Sequence, residues 1–307
     1  MSERRLRVLG TSSRVPTRDR NHSGHFLAWD EAGLLLDPGE GTQRQMGLFR
    51  VSASRVSHIL LSHFHGDHCL GLPGVLQRIA LEMPGKRVEI VYPGEQEHVL
   101  ANLLDCTLHH ADVELVRRSV RGDQADMDLG FATLRAAALD HGVTCYGYRL
   151  QEPDKVNLLP ERLAEFGVSG PLARRLKEEG KVEVHGREVV LGDVGVRRPG
   201  QSFAYVTDTR KCEVALKLAE NSSLLLCEAT YLHEHADLAQ QYAHMTAVQA
   251  GELAAEAGAG ALLLTHFSPR HNDTDDFARE AGAVFPGAQA ARDGDEVDIP
   301  RPARPFD

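Results

Sequence analysis

The chain is poor in cysteine, in long apolar runs and in positive charge. Its 307 residues include five cysteines, Cys69, Cys106, Cys145, Cys212 and Cys227, none in a CxxC pair. An odd, scattered set excludes a disulfide framework and fits reduced thiols in a cytosolic protein. No run approaches the ~20 apolar residues of a membrane span. The opening Met1–Leu6 lacks the apolar stretch of a secretory signal. A cytoplasmic protein with no membrane partner is therefore expected. Low-complexity tracts and short repeats are missing too. The formal net charge of −10 excludes only a uniformly basic nucleic-acid binder, because a local patch or a bound metal can still hold phosphate.

The hydrophobic content of 42% and charged content of 25% are those of a globular protein with a sizeable core. Short apolar runs alternate with helical stretches, the pattern of an α/β protein. Strands are expected at Arg5–Leu9, Gly33–Leu36, His58–Leu61, Val88–Val91, Thr133–Ala138, Phe203–Val206, Ser223–Cys227 and Ala261–Leu264. Helices are expected at Leu72–Glu82, Glu95–Asp105, Val214–Glu220 and Thr246–Ala257. Thr246 and Gln249 have the spacing of a capping box. Residues 1–307 read as one domain interrupted by a distinct segment, 151–199. Between Gln151 and Gly200 lie nine acidic and nine basic side chains. The stretch is neutral, so the net charge lies elsewhere. It is either a charged helical hairpin on the surface or an inserted arm with a partner.

Sixteen histidines are many for this length, and their neighbours matter more than their number. In Leu60-Leu61-Ser62-His63-Phe64-His65-Gly66-Asp67-His68 an apolar strand runs into a polar loop offering three imidazoles and a carboxylate. Strand ends are where α/β proteins build sites, and this donor set suits zinc or a similar first-row metal. Three more apolar runs end on one ligand-type residue each: His141 after Thr133–Ala138, Asp208 after Phe203–Val206, and His266 after Ala261–Leu264. Taken singly, Asp208 reads better as a turn residue, and His141 and His266 as hydrogen-bonded core histidines. Together with the first loop they make seven ligands, which suits two metals sharing one carboxylate, a hydrolytic two-metal centre.

These motifs resemble the metallo-β-lactamase superfamily and, within it, the ribonuclease Z family of tRNA 3′-processing endonucleases. The resemblance spans nearly the whole chain. It includes Leu9–Ser13, Pro16–Asn21, Asp37–Gln45, Ser62–Gly74, Cys145–Tyr148, Tyr205–Arg210 and Thr265–Arg270. It departs at Arg18, Cys227 and Met245, where the family often has lysine, histidine and serine. The resemblance implies an αββα sandwich working as a homodimer. It implies two Zn²⁺ per chain, with Mn²⁺ or Co²⁺ as substitutes. His63, His65 and His141 would hold one metal, Asp67, His68 and His266 the other, with Asp208 bridging. Asp67 would accept a proton from the attacking water while His244, oriented by Glu228, serves as general acid. Gly170-Pro171 is similar to the GP motif of the family's flexible arm, which makes 151–199 an exosite arm for precursor tRNA. Arg174, Arg175 and Lys177 would be its phosphate contacts.

Two other readings share these residues. One is another hydrolase of the superfamily, an arylsulfatase, lactonase or phosphodiesterase, which the ligands alone do not distinguish. The other is an inactive RNA-binding scaffold, which missing ligands would favour. His22, His58, His98, His109, His110, His233, His235 and His271 read as structural or surface residues. His185 has no assigned role.

Overall fold

The computed structural model describes residues 3–108 and 112–302, so His109 and His110 lie outside it. Two seven-stranded sheets form the centre. The first runs in the order Glu296–Asp298, Arg4–Gly10, Gly24–Trp29, Ala32–Leu36, His58–Leu60, Lys86–Pro93, Val113–Val120. The second runs Gln289–Ala290, Leu262–Thr265, Leu224–Glu228, Ser202–Val206, Tyr146–Gln151, Thr133–Ala138, Gln124–Asp128.

Alternation along the strands explains the layering, because successive side chains leave opposite faces. Leu6, Val8, Leu27, Trp29, Leu34 and Leu36 point into the core between the sheets, where they meet Phe203, Tyr205, Leu224 and Leu226. Their neighbours Leu9, Phe26, Ala28 and Leu35 point outward and are covered by the helix Leu72–Glu82 through Val75, Leu76 and Ile79. On the far side, Ala204, Val206, Leu225 and Leu264 pack under the helices Glu213–Ala219 and Ala247–Glu256. Central strands such as Ala32–Leu36, Leu224–Glu228 and Leu262–Thr265 are buried on both faces, which is why they read as near-continuous apolar runs. The result is the expected αββα sandwich.

The expected elements are present within a residue or two, except that the stretch from Glu95 is a 3₁₀ turn, Gly94–Gln96, before a helix at Glu97–Leu104. Thr246 caps its helix, with Oγ1 accepting from the Gln249 amide at 3.2 Å and Gln249 answering at 2.9 Å. Six strands not expected from the sequence complete the sheets: Gly24–Trp29, Val113–Val120, Gln124–Asp128, Tyr146–Gln151, Gln289–Ala290 and Glu296–Asp298. Between residues 155 and 198 the chain leaves the sandwich. There it forms two small antiparallel sheets and the helices Pro160–Glu165 and Pro171–Glu179 around a core of Val168, Leu176, Val182, Val184, Val189 and Val194. This corrects the helical-hairpin alternative, since strands and helices mix. No helix among the described residues is long and apolar enough to cross a membrane, and all five cysteines are free.

Candidate metal centre

All seven ligand-type residues converge at one end of the sandwich. His63 and His65 follow the strand His58–Leu60, Asp67 and His68 sit on the short helix Gly66–Cys69, and Asp208 and His266 close the central strands of the second sheet. Donor atoms of His63, His65, His141 and Asp208 lie within 4.8 Å of one another, as do those of Asp67, His68 and His266. Asp208 faces both groups, one oxygen to each. Oδ2 is 3.6 Å from His63 Nε2 and 3.9 Å from His141 Nε2. Oδ1 is 3.4 Å from His68 Nε2 and 3.3 Å from His266 Nε2. Asp67 Oδ2 stands 3.6 Å from both of those nitrogens. Ligands about 2.0–2.1 Å from a tetrahedral metal are about 3.3 Å apart, so the spacing matches a shared cation.

The hydrogen bonds behind the imidazoles point the same way. Ser62 Oγ donates to Asp37 Oδ2 at 2.6 Å and so accepts from His63 Nδ1 at 2.9 Å. His68 Nδ1 donates to Asp37 Oδ2 at 2.9 Å. His141 Nδ1 donates to the Ala243 carbonyl at 3.1 Å. Thr230 Oγ1 donates to Glu228 at 2.7 Å and accepts from His266 Nδ1 at 3.0 Å. With each Nδ1–H committed, each Nε2 presents a lone pair to the centre. Those of His63 and His141 are buried without a partner. Those of His68 and His266 face each other at 3.1 Å, an arrangement that repels unless a cation lies between. The electrostatics agree. Burial opposes charge on His68, but Asp208, Asp67 and Asp37 raise its basicity well above that of an ordinary imidazole. Burial would lift the carboxyl of Asp208, yet His266, His68 and His63 hold it well below the usual range. The pocket calls for positive charge, and a divalent metal fits it.

His244 stands beside the metal groups, with a donor atom within 4.8 Å of donors from Asp208 and His266. Its Nδ1 is 3.0 Å from Glu228 Oε1 and 3.3 Å from Thr230 Oγ1. Burial opposes its charge, but the Glu228 carboxylate and then Asp208 raise its pKa to about 9. Glu228 is fully buried and also accepts the Thr209, Thr230 and Met245 amides. Cys227 packs in the core beneath the helices, on the opposite face of its strand. The centre opens into a cleft of about 480 Å³ whose rim includes Ser13, Arg14, His22, Leu70, Tyr231 and Tyr242. A larger cleft of about 910 Å³ at the root of the inserted segment holds none of the expected site residues.

Gly170, Pro171, Arg174, Arg175 and Lys177 are not brought to this centre. Gly170 precedes the helix Pro171–Glu179 with φ 50. Arg174 pairs with Glu178 at 2.9 Å and Arg175 with Glu179 at 3.0 Å, all exposed. Lys177 is exposed on the same helix. The two arginines are thus matched by glutamates one turn away.

Sequence reasoning gave no role to Asp37, Thr230 or the Ala243 carbonyl. Asp37 ends the apolar strand Ala32–Leu36, the same signal that marked Asp208. Its carboxylate is fully buried and accepts from the Ser62 amide, the Ser62 hydroxyl, Tyr205 Oη and His68. Gly39 lets this loop touch the metal loop, since a Cβ there would stand 2.1 Å from the Asp67 carbonyl oxygen.

The comparisons with known proteins agree with this geometry. A family model described as the β-lactamase superfamily domain matches residues 181–267, and one described as the anti-Pycsar protein Apyc1 matches 4–117. The chain is 44% identical to a ribonuclease Z of Nocardia farcinica over 99% of this chain and 100% of the relative. It is 47% identical to that of Thermobifida fusca over 94% and 92%. Among solved structures, a metallo-β-lactamase fold protein from Bacillus subtilis, YhfI, has a TM-score of 0.70 at 20% identity, covering 97% of this chain and all of that one. The short form of human tRNase Z has 0.67 at 23%, covering 96% and 99%. These two show the shared fold.

Proposed function

The chain belongs to the ribonuclease Z family, and from that premise we propose how its site works. It is a metal-dependent endoribonuclease that acts on precursor tRNA, cleaving the 3′ trailer by phosphodiester hydrolysis. The observation that carries the reading at the level of the site is Asp208, whose two oxygens face two separate sets of bare imidazole nitrogens.

His63, His65 and His141 would hold one Zn²⁺, and Asp67, His68 and His266 a second, with Asp208 common to both. Metal bound there supplies Lewis acidity towards the phosphodiester and a nucleophilic water near neutral pH. The remaining steps belong to side chains. Asp67 accepts the proton of the attacking water as oxygen adds to phosphorus. The bond from phosphorus to the 3′-oxygen breaks, and His244 delivers a proton to that oxygen, which leaves as the 3′-hydroxyl of the tRNA. Glu228 fixes His244 through Nδ1 and compensates its charge, so that the other ring nitrogen serves the leaving group. The 5′-phosphate stays on the trailer.

Residues 151–199 form the exosite arm, with Gly170-Pro171 opening its exposed helix and Arg174, Arg175 and Lys177 as phosphate contacts. Surface ion pairs such as those to Glu178 and Glu179 are worth little, so RNA phosphate can replace the glutamates. The enzyme works as a cytoplasmic homodimer, each arm presenting RNA to the partner's centre. Incubating the metal-loaded protein with one 3′-extended precursor and mapping both new ends tests the reading. A 3′-hydroxyl on the tRNA and a 5′-phosphate on the trailer are expected. An uncut precursor, or a 3′-phosphate on the tRNA, overturns it.

A further inference from the structure

Nine non-glycine residues among those described have positive φ, and five of them surround the metal centre: Arg14, Asp37, Asp208, Ala243 and His266. Such conformations are strained for residues with a Cβ and persist where surroundings over-determine them. Four of the five have an evident reason. Asp208 and His266 offer ligand atoms, Asp37 braces His68, and the Ala243 carbonyl holds His141. Arg14, at φ 62, is different. Its backbone amide donates to Asp67 Oδ2 at 2.6 Å, a task that glycine performs without strain. Nothing in that contact requires an arginine side chain.

The side chain is exposed on the rim of the metal cleft. Among the described residues its guanidinium has no hydrogen-bond or ion-pair partner. Two other arginines of the chain are committed: Arg20 donates to the carbonyls of Ser268, His271 and Asn272, and Arg210 to Asp140 and Gln240. Burial raises the pKa of Tyr231 on the same rim, and the charges of Arg270 and then Arg14 partly offset it. The hydrogen bond from the Arg14 amide to Asp67 fixes the Arg14 Cα relative to the candidate metal ligands, so the free fork swings from a point anchored at the reacting centre.

We propose that Arg14 is a substrate-binding residue whose guanidinium grips the RNA backbone phosphate adjoining the scissile one. A planar fork of donors matches two phosphate oxygens. In an acidic protein, a free cation beside the metals is where a second phosphate of the same strand would settle. The proposal rests on the nuclease reading above.

The test uses the metal-loaded full chain with Arg14→Gly and Arg14→Lys. Glycine keeps the backbone hydrogen bond to Asp67, relieves the strained φ and removes the charge. Lysine keeps the charge. Turnover is measured on a 3′-extended pre-tRNA over a range of KCl and on bis(p-nitrophenyl) phosphate, which has no adjoining phosphate. For Arg14→Gly, kcat/KM on pre-tRNA should fall about tenfold, chiefly through KM, as for loss of one charge-assisted contact. The salt slope should flatten by about 0.7–0.9, one phosphate's worth. Metal content and the small-diester rate should stay at wild-type levels, and Arg14→Lys should restore most of the slope. Wild-type pre-tRNA kinetics and slope in Arg14→Gly overturn the proposal. So does an equal loss on both substrates, which would trace the effect to Asp67. A wild-type enzyme that hydrolyses the small diester but leaves pre-tRNA intact overturns the nuclease reading instead.

Discussion

Asp293 lies outside the chemistry, yet it ties three parts of the chain together below the cleft. Its Oδ1 accepts from Thr11 Oγ1 at 2.8 Å, and its Oδ2 from the Asn21 amide at 2.7 Å and Gln45 Nε2 at 3.1 Å. Burial pushes its pKa from 3.8 to about 6, against the hydrogen bonds of Asn21 and Thr11 and the charge of Arg20. The folded carboxyl therefore binds a proton more tightly than the unfolded one. The sign follows from linkage: this residue weakens the fold above pH 6, and stability returns as pH falls towards 4. At 1.36 kcal/mol per tenfold change in proton affinity, the full effect is about 3 kcal/mol. Between pH 8 and pH 5 it is about 1.4 kcal/mol. Asp293→Asn keeps the contacts, because the amide oxygen replaces Oδ2 and the amide NH₂ donates to Thr11, whose hydroxyl then accepts. The variant should be more stable than wild type at pH 8, by up to about 3 kcal/mol, and the gap should narrow by about 1.4 kcal/mol at pH 5. Equilibrium denaturation of both proteins at matched pH measures this, and the difference cancels every other titrating group. A gap constant across pH, or one that widens on acidification, refutes the reasoning.

Asp208→Ala should lower metal occupancy at both sites together, because one carboxylate faces both sets of donors; full metal content by elemental analysis would remove it from the bridge. His244→Ala should cut pre-tRNA turnover by roughly 10²–10⁴ with metal content intact. It should slow an ester with a nitrophenolate leaving group far less, so equal losses would give His244 another role. Replacing Gln151–Pro199 by a short Gly/Ser linker should leave metal binding and small-diester hydrolysis intact and abolish tight pre-tRNA binding in a filter assay; unchanged binding would remove the arm. Arg174→Ala with Arg175→Ala should reproduce part of that loss and flatten the salt slope by about one unit per lost phosphate contact.

The candidate ligands are legible in the sequence because each sits where an apolar run stops. His63, His65, Asp67 and His68 share one strand end, and His141, Asp208 and His266 each follow another. What lies behind them was harder to read. Asp37 carried the same strand-end signal, but the Pro38-Gly39 that follows gives it the look of an ordinary turn. Thr230 acts through a hydroxyl between Glu228 and His266, and Ala243 through a backbone carbonyl, which has no side-chain signature. Thr11 and Asp293 are 282 positions apart, so only the closed sandwich brings them together. The strand Gly24–Trp29 opens on a glycine and a histidine, and Val113–Val120 turns charged residues to solvent, so neither shows an unbroken apolar run.

The inserted segment carried a signal that composition obscured. Lys181–Val184 alternates charged and apolar residues, and only His185-Gly186 separates it from Arg187–Val190. Both turn residues have positive φ, 51 and 78, as a two-residue hairpin of the primed type requires. His185 thus has a conformational role in a turn where most side chains are disfavoured. In the sequence the charge run before it offers cations for RNA. On the helix each arginine instead stands four residues before a glutamate, and the pairs close on themselves. Because those pairs are exposed and weak, phosphate can displace the glutamates, but the exchange releases less net charge than a free patch would. The guanidinium of Arg14, by contrast with those of Arg174 and Arg175, would meet RNA without first giving up a partner.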